Sequence, residues 1–180
     1  MSKKNIRKKI LKLRKQNFKK KYKINNNLIL KLIKKFKVKR PVIGGYYPVK
    51  YEIDCLGILN FLEKKKYTIS LPVIKIKNSM KFFKWCSNDP LKISKYGIPE
   101  PFSPKSVDPD ILLVPIVAFD KNFYRIGYGG GYYDRFISKI KKKKRVLTIG
   151  LAFSFQKINK FNVNKYDQKL DFVLTEKNKI

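Results

Sequence analysis

Apolar residues recur at helical intervals from the start of the chain, at Ile6, Ile10, Leu13 and Phe18 within residues 3–23, with lysines on the other faces. This predicts a basic amphipathic helix. "INNN" at residues 24–27 interrupts it, and Leu28, Leu30, Leu32, Ile33 and Phe36 predict a second helix ending near "KVKRP". Beyond Pro41 the pattern changes. "VIGGYYPV" reads as a short buried strand running into a glycine and proline bend, and "EIDCLGILNFLEKKK" as a helix with Asp54 at its N-cap. "YTISLPVIKI" and "MKFFKW" read as strands paired through "KNS". Residues 86–110 hold five prolines and little periodicity, which predicts a long loop. A loop of that length in a compact domain is more often functional than decorative.

"DILLVPIVAFD" is a near-continuous apolar run, the pattern of a strand buried on both faces in a parallel sheet. A glycine-rich segment follows, and then Tyr133, Phe136, Ile137 and Ile140 fall at helical spacing. "RVLTIGLAF" reads as another buried strand and "LDFVLTE" as the last. Helices alternating with apolar strands predict an α/β protein, a single three-layer domain with a mostly parallel central sheet flanked by helices. The 180 residues fit one such core over residues 1–180, with a basic helical N-terminal arm at about residues 1–38. There is no internal repeat, and the lysine runs are compositional bias.

Charge adds a second constraint. Lys and Arg number 44 against 12 Asp and Glu, a formal net charge of +32, and no acidic residue precedes Glu52. Such a chain suits a polyanion, either RNA or a nucleotide steered to its site. Yet only six of the cations are arginine, and Lys, Ile and Asn are abundant together, as in an AT-rich coding sequence. Solvated lysine faces explain most of the excess, and nucleic-acid contact is expected to be at most non-specific. Two cysteines, Cys55 and Cys86, make no disulfide framework, and the absence of histidine excludes Cys/His zinc spacings and both Ser-His-Asp and Cys-His nucleophile systems. Chemistry then rests on Lys, Arg, carboxylates, backbone N–H groups and a metal ion. With no apolar run of membrane-spanning length and no apolar leader, a cytoplasmic protein is expected.

The segment "RIGYGGGYYDRF" at residues 125–136 concentrates these possibilities, with four glycines in five positions. Between a strand and a helix, glycines let backbone N–H groups and a helix N-terminus approach an anion. Neither G-x-G-x-x-G nor GK[ST] is present, so by glycine content a tight turn and a ligand cradle fit equally well. Arg125 and Arg135 stand here in a chain that otherwise chooses lysine, and a guanidinium fork suits phosphate oxygens. Asp134 at the helix start is a candidate Mg²⁺ ligand or a carboxylate favoured by the helix N-terminus. Tyr128, Tyr132 and Tyr133 suit stacking on a flat ring or packing in the core.

"PDILLVPIVAFDKNFYRIGYGGGYYDRFI", residues 109–137, closely resembles the signature of the 5-formyltetrahydrofolate cyclo-ligase family, also called methenyltetrahydrofolate synthetase. Family-like pieces recur in order elsewhere: "KKNIRKKILKLRKQN", "GYYPVKYEID", "YGIPEP", "GLAFSFQ" and "YDQKLDFVLTE". The resemblance implies an enzyme that uses ATP and Mg²⁺ to convert 5-formyltetrahydrofolate to 5,10-methenyltetrahydrofolate, releasing ADP and phosphate. It places Lys3, Lys4, Asn5, Ile6 and Arg7, with Arg125, Ile126, Gly127, Tyr128, Gly129, Gly130, Gly131, Tyr132 and Tyr133, on ATP. Arg14 ends a pattern similar to that of Arg7, but the spacing to "RKQN" favours Arg7. By the same resemblance Tyr47 and Glu52 contact the folate, together with Tyr128, Gly129, Gly130, Gly131 and Tyr132. Arg125 and Tyr132 are the implied catalytic pair, and Asp134 with Asp167 the implied metal ligands, Asp171 being the alternative to Asp167. Trp85 and Phe153 are candidate walls of the folate site, with core packing the safer reading. Some relatives carry a lysine where this chain has Gly130, which shifts charge neutralisation to Arg125, the N-terminal basic residues and Mg²⁺. A monomer with small-molecule partners and no membrane is expected. The alternatives are an RNA-binding protein and a family-fold protein that keeps only nucleotide or folate binding.

Overall fold

The structure, a computed structural model, describes residues 1–18, 22–75 and 79–178. Helix α1 spans Lys3–Asn17, started by the Ser2 side chain, which accepts from the Asn5 N–H. The helix predicted over residues 3–23 is shorter: Tyr22 and Lys23 are not helical, and residues 19–21 lie outside the described residues, as does most of the "KNS" connection. Helix α2 (Asn26–Phe36) is capped by Asn25, and Ile29, Ile33 and Phe36 form its buried face. It ends where Lys37 turns left-handed at φ 56°. The positive N-terminal segment is thus built from helices whose apolar stripes are packed against the body of the protein.

Strands β1 (Val42–Gly44), β2 (Thr68–Ile74), β3 (Met80–Lys84), β6 (Ser106–Val107), β7 (Ile111–Pro115), β10 (Leu147–Leu151) and β11 (Phe172–Leu174) form a seven-stranded sheet in the order β11-β10-β7-β1-β2-β3-β6. The ladders from β11 to β2 are parallel, while β3 and β6 add an antiparallel edge. Helix α3 (Cys55–Lys64), capped by Asp54 through the Gly57 N–H, links β1 to β2. Helix α4 (Tyr132–Lys141) lies on the connection from β7 to β10.

Strand β7 shows why helices are needed on both faces. Ile111, Leu112, Leu113 and Val114 are all fully buried. Because side chains alternate along a strand, Ile111 and Leu113 pack with α2 and α3, and Leu112 and Val114 with α4. Each such side chain contributes about 1.5–3 kcal/mol on burial, so a one-residue slip of this strand is strongly disfavoured. The three-layer architecture follows.

Two expectations change. The run "DILLVPIVAFD" is not one strand. Strand β7 ends at Pro115, which has no N–H to extend a ladder, and the Ile116 carbonyl is instead taken by the side chains of Arg14 and Gln156. The chain then enters a small antiparallel hairpin of β8 (Ala118–Phe119) and β9 (Arg125–Ile126), against which α1 packs through Ile6 and Ile10. The glycine segment therefore leaves a hairpin strand rather than the sheet. Residues 86–110 are not a plain loop either, since β4 (Leu91–Ile93) pairs with β5 (Pro99–Pro101). The Ser94 hydroxyl holds that turn by accepting from the Tyr96 and Ile98 N–H groups, with Gly97 at φ +71°. Strands this short and proline-bounded carry no readable periodicity.

Strands β1 and β7 are neighbours whose connections leave in opposite directions, through α3 to β2 and through α4 to β10. In open α/β sheets the crevice at the carboxyl ends of such a strand pair is where ligands bind.

Candidate active site

A cavity of about 1300 Å³ opens at that crevice. Its walls come from α1, residues 46–52 after β1, the β2–β3 pair, the β4–β5 hairpin, residues 125–135 and residues 164–168. The glycine segment runs through its middle. Gly129 (φ +109°) and Gly131 (φ +65°) occupy backbone conformations that suit glycine, and Gly131 is the N-cap of α4 without any side-chain cap bond. A Cβ on Gly130 would meet the Tyr132 ring at 2.6 Å. The uncapped N–H groups at the start of α4 make an electropositive floor suited to an anion.

Cations surround that floor. Arg7 donates through Nε to the Gly127 carbonyl at 2.7 Å and lies over Gly129, its Nη1 and Nη2 having no other hydrogen bond among the described residues. Arg125, 6% exposed, donates to the Gln168 carbonyl at 3.1 Å and pairs with Asp134 at 3.0 Å. Burial lowers its pKa, and the Asp134 charge opposes that loss. Lys3 pairs with Asp167 at 2.5 Å. Lys3, Arg7 and Arg14 fall within about 40° of one another around α1. The helix presents them as a single stripe.

Asp134 and Asp167 both line the cavity. Asp134 uses Oδ1 for Arg125 and the Gln168 N–H, and Asp167 uses Oδ2 for Lys3 and the Asn164 N–H. The second oxygen of each takes no hydrogen bond among the described residues. Two hard oxygen donors beside a phosphate-type cradle fit a magnesium ion, which keeps waters and phosphate oxygens as its other ligands. No cluster of three or more His, Cys, Asp or Glu side chains forms a protein-only cage among the described residues. Asp171 is elsewhere: it accepts from the Thr148 N–H at 2.8 Å and Thr148 hydroxyl at 2.6 Å and does not line the cavity.

The deep end is different in character. Glu52 has a side chain only 3% exposed; Oε2 accepts from the Val49 N–H at 2.9 Å, while Oε1 is buried with no hydrogen bond. Burial raises its pKa, opposed by the Val49 N–H and Arg14. The Tyr133 hydroxyl is likewise buried without a partner, and burial pushes its pKa well up, so it remains an O–H donor. Tyr46 closes the wall, donating to the Ile53 carbonyl at 3.2 Å. Tyr47 lines the cavity nearby. Unpartnered buried polar atoms are costly, and here two of them belong to residues that line one cavity.

Other expected residues divide cleanly. Tyr128 and Tyr132 line the cavity, and the Tyr132 hydroxyl meets that of Tyr96 at 2.9 Å across the mouth. That hydrogen bond raises the Tyr132 pKa. Lys4 and Asn5 are exposed away from the cavity, and the Ile6 side chain belongs to the apolar cluster under the hairpin. Trp85 and Phe153 pack in the main core, as the safer reading had it. Cys55 is buried and its thiol pushed up by burial, and Cys86 is a second free thiol. Tyr96 in the wall and Arg14 just behind it are residues to which the sequence assigned no role. For Arg14 a signal existed: an arginine in a lysine-rich helix, on the stripe of Lys3 and Arg7.

Fold and site together define a three-layer α/β protein with a phosphate-type cradle and a second, largely buried recognition end in one cavity. The sequence model of the "5-formyltetrahydrofolate cyclo-ligase family" matches residues 1–176. A 5-formyltetrahydrofolate cyclo-ligase of Mycoplasma genitalium is 33% identical over 153 residues, covering 84% of this chain and 81% of its own. One from Haemophilus influenzae is 31% identical over 139 residues, 73% and 74% of the two chains. Among solved structures, a 5,10-methenyltetrahydrofolate synthetase from Mycoplasma pneumoniae superposes with a TM-score of 0.74 at 27% identity, covering 98% of this chain and 100% of that one. The Aquifex aeolicus 5,10-methenyltetrahydrofolate synthetase gives 0.74 at 31% identity, covering 99% and 91%. The chain belongs to the 5-formyltetrahydrofolate cyclo-ligase family, and it is a ligase.

Proposed function

We infer that the protein uses ATP to close 5-formyltetrahydrofolate to 5,10-methenyltetrahydrofolate. The observation that carries this reading is the glycine segment itself, which has phosphate-suited cations on one side and the Glu52 recognition end on the other. The formyl oxygen attacks the γ-phosphorus and ADP leaves. N10 then bonds to the activated formyl carbon, its proton is released, and the phosphate departs with its oxygen. Each step asks for alignment and charge neutralisation more than for a general base, in keeping with a chain without histidine.

In this reading Lys3, Arg7 and Arg125 hold the phosphates with the N–H groups from Gly129 to Tyr133, and Arg125 neutralises charge on the transferring group. Tyr132 and Tyr128 stand where nucleotide and folate meet. Glu52 accepts from the pterin N–H groups through Oε1, and Tyr47 borders the same substrate. Asp134 and Asp167 hold Mg²⁺ through their unused oxygens; the ion, when bound, supplies charge neutralisation at the phosphates. A monomer is the proposed working unit. No helix among the described residues is long and apolar enough to cross a membrane, and a cytoplasmic setting is the proposed location. The +32 charge is proposed to give RNA only weak affinity that falls with salt.

The test is direct. Purified protein with Mg-ATP and 5-formyltetrahydrofolate is expected to generate the near-ultraviolet absorbance of the methenyl product, with ADP formed only when the folate is present. Folded protein that binds both ligands and yields neither signal would leave a binding protein in the family fold, and the proposal would fall.

A further inference from the structure

Arg14 is the most buried charged residue described, 1% exposed, yet it is absent from the cavity lining. It stands directly behind two residues that do line it. Nη1 donates to the Tyr128 hydroxyl at 2.8 Å and to the Lys50 carbonyl at 3.3 Å, and Nη2 to the Ile116 carbonyl at 2.5 Å. Nη1 also lies 3.8 Å from Glu52 Oε1. That separation is too long for a hydrogen bond but short enough for strong attraction at a buried site.

The imperfection of that pair is the informative feature. A purely structural ion pair would bring the guanidinium fork onto both carboxylate oxygens. Here the fork is held off by two backbone carbonyls and a tyrosine hydroxyl, so Glu52 gains a countercharge while its Oε1 takes no hydrogen bond from the guanidinium. The other titratable or charged groups facing Glu52 are Lys50 and Tyr46 from the segment after β1, Cys55 of α3, Tyr128 of the glycine segment and Tyr133 of α4. Lys50 is the other cation among them, and it is exposed, so solvent screens it. Without Arg14, a carboxyl this buried takes up a proton more readily.

We propose that Arg14 is a positioning residue for substrate: from behind the cavity wall it holds Glu52 ionised and the Tyr128 hydroxyl oriented, so that both face the folate. The proposal rests on the assignment of Glu52 to the folate. Lysine is a poor replacement, because a single ammonium cannot hold the carbonyls and the hydroxyl in one plane.

The experiment measures kcat and KM for both substrates from about pH 5 to about pH 9 in wild type, Arg14→Met, Arg14→Lys, Glu52→Gln and the Arg14→Met/Glu52→Gln double variant, with circular dichroism as the check on folding. In Arg14→Met, KM for 5-formyltetrahydrofolate is expected to rise about tenfold at neutral pH, and the acid limb of kcat/KM to move up by about one pH unit or more. KM for Mg-ATP is expected to stay within about twofold. Arg14→Lys should return the limb toward its wild-type position while KM for the folate stays raised. Glu52→Gln should lack the limb, and adding Arg14→Met to it should change little. Should Arg14→Met fail to fold, the double variant removes the stranded carboxylate and is expected to fold, and Arg14→Lys decides through its folate KM. A folded Arg14→Met with the wild-type limb, an Arg14→Lys with wild-type folate KM, or equal effects on both substrates overturns the proposal. A Glu52→Gln variant with wild-type folate KM removes the Glu52 assignment instead.

Discussion

Replacing Tyr133 by phenylalanine tests whether the deep end of the cavity is built for a ligand. The hydroxyl is buried and unpartnered, while the ring packs at the edge of the α4-side core. Tyr133→Phe therefore removes one oxygen and leaves the packing. An unsatisfied buried hydroxyl costs about 1–3 kcal/mol, and at ~3 °C per kcal/mol for a chain of this size the ligand-free Tm is expected to rise by about 3–9 °C. With substrate present the same oxygen is expected to donate a hydrogen bond worth ~0.5–1.5 kcal/mol, so kcat/KM for the folate should fall by about 2- to 10-fold. The assays are a thermal melt of the free protein and steady-state kinetics by methenyl absorbance. A drop in Tm would mean that the hydroxyl is satisfied in the free protein. A raised Tm with unchanged kinetics would mean that no ligand uses it. Either result refutes the reasoning.

Further expectations concern the carboxylates and the glycine cradle. Asp134→Asn removes the charge paired with buried Arg125 and one proposed magnesium ligand; turnover should drop roughly 100-fold and more magnesium should be needed for half-maximal rate, whereas an unchanged magnesium dependence would take Asp134 out of the metal site. Glu52 carries a carboxyl raised by burial, so the native state holds its proton to higher pH than the unfolded chain, and wild-type stability declines as pH climbs from about 4.3 through the native value. Glu52→Gln abolishes that decline, so its Tm advantage over wild type should be small near pH 4 and larger near pH 8; melts showing the opposite trend would contradict the assignment. Gly131→Ala forces a side chain into φ +65° and should cost ~1–2 kcal/mol, read as a lower Tm with the loss of activity that follows from a distorted cradle. An unshifted Tm would show that the backbone there relaxes freely.

The strength of the charge separates two kinds of cation in this molecule. Most of the described lysines are solvent-exposed and contribute little individually. Arg14 and Arg125 are nearly inaccessible; Arg14 is held by two backbone carbonyls and a tyrosine hydroxyl with Glu52 nearby, and Arg125 by one backbone carbonyl and the Asp134 carboxylate. In a lysine-rich chain the arginines at these two positions match the demand for planar, multi-donor contacts under burial.

What the amino-acid sequence determined by itself was whatever depends on near neighbours. The alternation and full burial of residues 111–114 follow from an unbroken apolar run, the α3 and α4 spans from helical spacing, and the Asp54 cap from a residue type whose side chain bonds a backbone N–H three positions on. The glycine cradle was legible for the same reason, since φ above zero at Gly129 and Gly131 suits that residue type. Tertiary structure alone decided which charges meet. Lys3 reaches Asp167 across 164 positions, Arg7 reaches Gly127 across 120, and Arg14 reaches Ile116 across 102, separations at which no local pattern carries information. It also divided the helix stripe, turning Lys3 and Arg7 to the cavity and Arg14 behind its wall, and it set Asp167 in the cavity lining while tying Asp171 to Thr148. Local sequence states what a residue can do, but burial and the convergence of distant segments set whether a cation is solvated, paired or aimed at a ligand.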